Sequence, residues 1–160
     1  MSAVLGGRLL FGAPFRDAAQ PLLYIGFSKA LAVCYVGETI SRHGILARWC
    51  AHLGAAPGGG TFVQRLDDVE PDRLADLVDL TVLYWVLDER LFGTTEASCR
   101  RGVEYLVQRR LQEINGVDLR PALRLVANVQ SNPSVRLDFV EAAARLICDD
   151  FVQSYMTTQP

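Results

Sequence analysis

"PLLYIGFSKALAVCYVG", Pro21 to Gly37, is the most apolar stretch of the chain, and its single charge, Lys29, is the only lysine among 160 residues. Three readings compete for it: a membrane span, a site built on a lysine amine, or the buried core of a bundle. The run is shorter than the roughly 20 apolar residues that cross a bilayer. A lysine at its centre would cost about 2.5–3.5 kcal/mol on insertion, so no membrane span is expected. A catalytic amine needs a phosphate or carbonyl pocket beside it, and the flanking residues supply no sign of one. Apolar residues nearly all round a helical projection of Leu22–Val36 predict a buried central helix, with Lys29 reaching its charge out to solvent.

Outward from that stretch the spacing favours helices. "ILARWCAHLG" (45–54) resumes helical periodicity and stops at Gly54. "AAPGGG" opens a glycine-rich loop over 55–61, and "TFVQRL" after it reads as a short strand or extended link. Pro71, flanked by acids, suits the start of a helix running to Gly93. Val103, Leu106, Val107, Leu111 and Ile114 form one stripe that Asn115-Gly116 closes. Asp118 can cap a short helix carrying Leu119, Leu123 and Val126. Asn132 and Pro133 open a last helix with Val135, Phe139, Ala142, Ala143, Leu146, Ile147 and Phe151 on its apolar face. The expectation is an all-α, single-domain bundle of five to seven helices around the apolar central helix. Residues 1–20 form an extended N-terminal arm and residues 156–160 a frayed tail.

Composition narrows function by exclusion. A net charge of −2 gives no global basic field for nucleic acid. Cys34, Cys50, Cys99 and Cys148 are widely spaced, without a Cys-x-x-Cys pair, and predict reduced thiols in a cytoplasmic or nuclear protein that is not secreted. The N-terminus lacks the basic start and long apolar run of a signal peptide. Walker and Gly-x-Ser-x-Gly motifs are absent, so no cofactor is expected. His43, Cys50 and His52 are the one metal-like group, and a structural zinc site needs four convergent ligands; no metal is expected.

What remains is a non-enzymatic interaction or regulatory module that self-associates as a homodimer or larger homo-oligomer. Its protein-binding residues are expected at Arg100, Arg101, Tyr105, Arg109 and Arg110 on one helix and at Phe11 and Phe15 in the arm. A viral or host-modulating adaptor fits the lysine-poor composition, although codon preference for arginine is the favoured account of it. One alternative is a coat- or shell-like subunit that touches nucleic acid through Arg100, Arg101, Arg109 and Arg110. Another is a small magnesium enzyme using Asp72, Asp76 and Asp79, spaced to share one helix face.

Overall fold

The computed structural model describes residues 4–8, 20–40, 44–54, 60–127 and 133–157. In chain order the elements are β1 (Val4–Arg8), β2 (Leu22–Ser28), β3 (Val33–Thr39), α1 (Gly44–Leu53), α2 (Thr61–Val69), β4 (Thr81–Leu87), α3 (Glu89–Phe92), α4 (Ala97–Ile114), β5 (Arg124–Leu125) and α5 (Asp138–Thr157). The strands make one sheet in the order β1-β4-β2-β3-β5, antiparallel except for the short β3–β5 pair. The class is therefore α+β, which corrects the all-α bundle expected from periodicity. Among the described residues no helix is long and apolar enough to cross a membrane.

The apolar stretch is a β-hairpin. Leu22–Ser28 pairs with Val33–Thr39, joined by the four residues Lys29–Ala32. Its residues suit strands, since Tyr24, Ile25, Phe27, Val33, Tyr35 and Val36 are aromatic or β-branched. They fail to alternate with polar residues because both faces of the hairpin are covered. Leu23, Ile25, Phe27, Cys34 and Val36 pack with Leu83, Trp85 and Leu87 against α4 and α5. Leu22, Tyr24, Val33 and Tyr35 pack with Ile45, Trp49, Phe62 and Leu66 of α1 and α2. Two-sided burial turns a strand into a continuous apolar run, which projects onto a helix as "apolar all round". Each fully buried large side chain contributes about 1.5–3 kcal/mol.

The helix expected over residues 71–92 divides in the same way. A single 3₁₀ turn, Leu74–Asp76, precedes β4, and only Glu89–Phe92 is helical after it. "TFVQRL" lies in α2 rather than in a strand. Residues 115–123 form a looped segment instead of the expected short helix. The helix over 97–114 stands where its stripe placed it, whereas the last helix begins at Asp138 rather than at Pro133, Val135 lying in a 3₁₀ turn over Pro133–Arg136; Met156 and Thr157 are helical rather than frayed. Within the expected arm, Val4–Arg8 is a strand of the sheet.

One carboxylate holds the hairpin loop. Asp79, just before β4, accepts from the Ser28 hydroxyl, from the Lys29 amide (2.7 Å) and from the Ala30 amide (3.0 Å). Burial raises its pKa, but the Ser28 hydroxyl and the two amides outweigh that and hold the carboxyl below its usual range. Ser28 Oγ also accepts from the Leu31 amide at 3.1 Å. Ala32 closes the loop with φ +53, a left-handed conformation that costs an alanine roughly 1 kcal/mol. Its carbonyl accepts from the Arg124 amide at 2.7 Å, which starts the β3–β5 pair.

Candidate functional site

The residues singled out from the sequence do not converge. Arg100 is 5% exposed. Its Nε donates to Glu38 at 2.7 Å, and its Nη1 donates to the Phe92 carbonyl at 2.9 Å and to the Gly93 carbonyl. It fastens α4 to β3 and to the end of α3. Arg101 is exposed, Tyr105 half-buried, and Arg109 exposed and paired with Glu113 at 2.9 Å. Arg110 reaches across to Glu141 of α5 at 3.4 Å. The four arginines thus point into the core, to solvent and to a neighbouring helix, rather than forming one basic face. Phe11, Phe15 and His43 lie outside the described residues.

The acidic face dissolves as well. Asp72 occupies a turn with φ +65, Asp76 pairs with Arg73 at 3.1 Å, and Asp79 clamps the hairpin. The three share no helix, so the spacing that suggested magnesium has no counterpart in space. Cys34 packs on the α4–α5 side of the sheet and His52 on the other. Among the described residues no three metal-ligating side chains converge. Burial pushes the thiols of Cys34 and Cys148 up to about 12, which makes both inert as nucleophiles.

A polar group that the sequence did not reveal surrounds the far end of β3. Tyr24 and His52 are fully buried, with Tyr24 Oη 2.6 Å from His52 Nε2. Arg48 donates to the same hydroxyl, so the Tyr24 proton points at a neutral His52. Burial, and then the Arg48 charge, pull the His52 pKa down to about 4. Tyr35 and Trp49 close on the imidazole edge-to-face, at 4.9 and 5.6 Å between ring centres. Trp49 Nε1 is buried without a hydrogen-bond partner among the described residues. Gly26 lies beneath this indole, where any side chain would overlap the ring. Around the strand edge, α4 presents Glu104, which accepts from Gln108 at 3.3 Å. Burial, and then the negative charge of Glu38, raise the Glu104 pKa to about 7. The group can hold or release a proton near neutrality. However, its tyrosine and histidine are sealed from solvent, so its chemistry is that of a hydrogen-bonded joint between α1, β2 and β3.

Two concavities and one strand edge remain. A cleft of 540 Å³ at the end of α4 has Leu31, Cys34, Leu111 and Leu119 in its walls and the Glu70–Arg124 ion pair, at 2.8 Å, beside it. A shallower recess of 680 Å³ lies along α5, lined by Ala142, Arg145, Leu146, Asp149, Asp150 and Gln153. The strand edge is β1. The Leu87 amide donates to the Pro21 carbonyl at 2.9 Å, which sets the phase of the ladder. Residues 81, 83, 85 and 87 of β4 bond to β2, and 82, 84 and 86 bond to β1. In the β1–β4 register, Leu5 and Gly7 then bond inward, while the peptide groups of Val4, Gly6 and Arg8 point outward. Among the described residues no strand pairs with that outer edge. No protein-family model, curated protein or solved structure matches this chain.

Proposed function

We propose that this chain is a non-enzymatic interaction module that self-associates by pairing the outer edge of β1 with β1 of a second copy. The observation that carries the reading is the outward row of peptide groups at Val4, Gly6 and Arg8. An edge strand of this kind is a template for another strand, and strand addition supplies main-chain hydrogen bonds whatever the side chains. Gly6 and Gly7 add no bulk that would hold a second strand away. Antiparallel β1–β1 pairing about a two-fold axis would join two sheets into one continuous sheet. The buried free thiols of Cys34, Cys99 and Cys148 suit a reducing compartment, and we assign the module to the cytoplasm or nucleus as a regulatory adaptor.

Light scattering across a concentration series tests the reading. The wild type is expected to move from monomer to dimer. Gly6→Pro removes only an outward amide and should leave a folded monomer. Gly7→Pro removes an inward one and should destabilise the β1–β4 ladder itself. A strict monomer at every concentration, or a dimer indifferent to Gly6→Pro, would overturn the proposal.

A further inference from the structure

The geometry points to a ligand site in the cleft at the end of α4: it binds a small monocarboxylic acid, with the carboxylate held by Arg124 and Asn115 and a short apolar tail lodged among leucines. The cleft encloses 540 Å³, within the roughly 300–1,000 Å³ of small-molecule sites. It lies beside β5, at the opposite edge of the sheet from β1, so the site goes beyond the strand pairing and does not depend on it. Contacts inside the protein already fix its walls. The Leu123 amide donates to Asn115 Oδ1 at 2.7 Å, the Tyr155 hydroxyl to the Pro121 carbonyl at 2.9 Å, and the Arg124 amide to the Ala32 carbonyl at 2.7 Å. A preformed cavity asks little further ordering of the protein when a ligand enters.

The head group follows from which polar atoms are already engaged. Glu70 is the one carboxylate among the lining residues, and its two oxygens face Arg124 at 2.8 Å and Arg73 at 3.9 Å. An amine would find no unclaimed anion there. Donors are in surplus. Arg124 uses Nη1 for Glu70 and for the Val69 carbonyl at 2.9 Å, while its Nε and Nη2 bond no group among the described residues. Those two nitrogens form the fork that takes a carboxylate side-on. Asn115 is half-buried, and the Leu123 amide sets its orientation through Oδ1. Its Nδ2 is thereby left to donate, again with no partner among the described residues. The exposed Gln112 amide supplies a further donor at the rim. Leu31, Leu111, Leu119 and Leu123 line the cleft below these groups, and a tail of about four to six carbons would replace water against them.

The test titrates the full chain with hexanoate, hexanol and hexylamine and follows the side-chain amide signals of Asn115 and Gln112 by NMR. Hexanoate should shift both signals and saturate with a dissociation constant on the order of 1 mM. Hexanol should bind about tenfold more weakly, and hexylamine should leave both signals in place. Asn115→Asp keeps an oxygen for the Leu123 amide but exchanges the donor for a negative charge, so it should abolish hexanoate binding while circular dichroism stays unchanged. Arg124→Lys keeps the charge without the fork and should weaken binding about five- to tenfold. Gln112→Glu, at an exposed position, should weaken it about threefold and decides the matter if Asn115→Asp fails to fold. Equal responses to the three probes, no saturation up to about 20 mM, or hexanoate binding indifferent to Asn115→Asp and Gln112→Glu would overturn the site. Repeating the titration in Gly6→Pro keeps the two proposals apart, because a monomer that still binds hexanoate retains the cleft whatever becomes of the strand pairing.

Discussion

The two sides of the sheet are built from different chemistry. On the α4–α5 side, Ile25, Phe27 and Val36 meet Val103, Val107, Ile147 and Phe151 in a layer of aliphatic side chains and a few rings in edge-to-face contact. On the α1–α2 side, Tyr24, Tyr35, Trp49, His52 and Phe62 form one aromatic cluster with a tyrosine–histidine hydrogen bond at its centre. The first layer is held by area and close packing, which tolerate shape changes poorly and are blind to pH. The second depends on ring geometry and satisfied polar atoms, so it responds to single-atom changes and to protons.

The largest effect expected is common to both sides. Val33 faces the aromatic layer and Val36 the aliphatic one, and both are almost wholly buried. Val33→Asp and Val36→Asp each place an unpaired carboxylate in the core and should unfold the chain, by more than about 4 kcal/mol. A folded Val33→Asp protein by circular dichroism would mean the α1–α2 layer does not seal the sheet. Phe151→Ala, on the aliphatic side, should cost about 3–5 kcal/mol in urea unfolding. Tyr24→Phe, on the aromatic side, removes one oxygen and leaves His52 and Arg48 without it, which should cost about 1–3 kcal/mol. Equal losses for these last two would erase the contrast between the two layers.

Protons act on the aromatic layer and on the α4 edge beside it. The folded pKa of His52, about 4, lies below the ordinary 6.5. Its stabilising contribution is therefore present above pH 6.5 and lost as pH falls toward 4. The folded pKa of Glu104, about 7, lies above the ordinary 4.5. Its contribution is complete below pH 4.5 and lost as pH rises through 7. Each is worth about 1–3 kcal/mol, and across pH 4.5–6.5 they oppose each other. Relative to wild type, Glu104→Gln should lose stability more steeply on acidification, and His52→Gln less steeply. Urea midpoints at pH 4.5, 5.5 and 6.5 measure both, and parallel slopes in the two variants would refute the assignment. The smallest effect belongs to the hairpin loop, where Ala32→Gly relieves the positive φ and should raise stability by about 0.5–1 kcal/mol.

How much of this was legible in the sequence depends on how each segment is covered. α4 and α5 each turn one side to the protein and the other to water, so their stripes of Val103, Val107, Leu111 and of Ala143, Ile147, Phe151 announced them. Asn115-Gly116 marked the end of α4 for local backbone reasons that need no partner, whereas Pro133 opens only a 3₁₀ turn and α5 begins at Asp138. β4 carries Val82, Leu83, Trp85 and Leu87 toward both layers, and that two-sided burial hid it inside a helical pattern. Of the candidate site residues, Arg100 looked like its neighbours because charge alone does not say which side of a helix is buried. Its partner Glu38 is 62 residues away. Asp79 looked like part of an acidic helix start, yet its partners at Ser28, Lys29 and Ala30 are about 50 residues distant.

Residue order alone settled what local forces settle: the two amphipathic helices, the end of α4, and an apolar stretch too short and too charged to span a bilayer. The folded chain settled everything that needed a second surface. Pro21–Gly37 is a hairpin because α1 and α2 cover one of its faces and α4 and α5 the other, and because Asp79 ties its loop. An apolar run states only that its residues leave water. Whether they do so as a helix or as paired strands depends on which groups, distant along the chain, arrive to cover them.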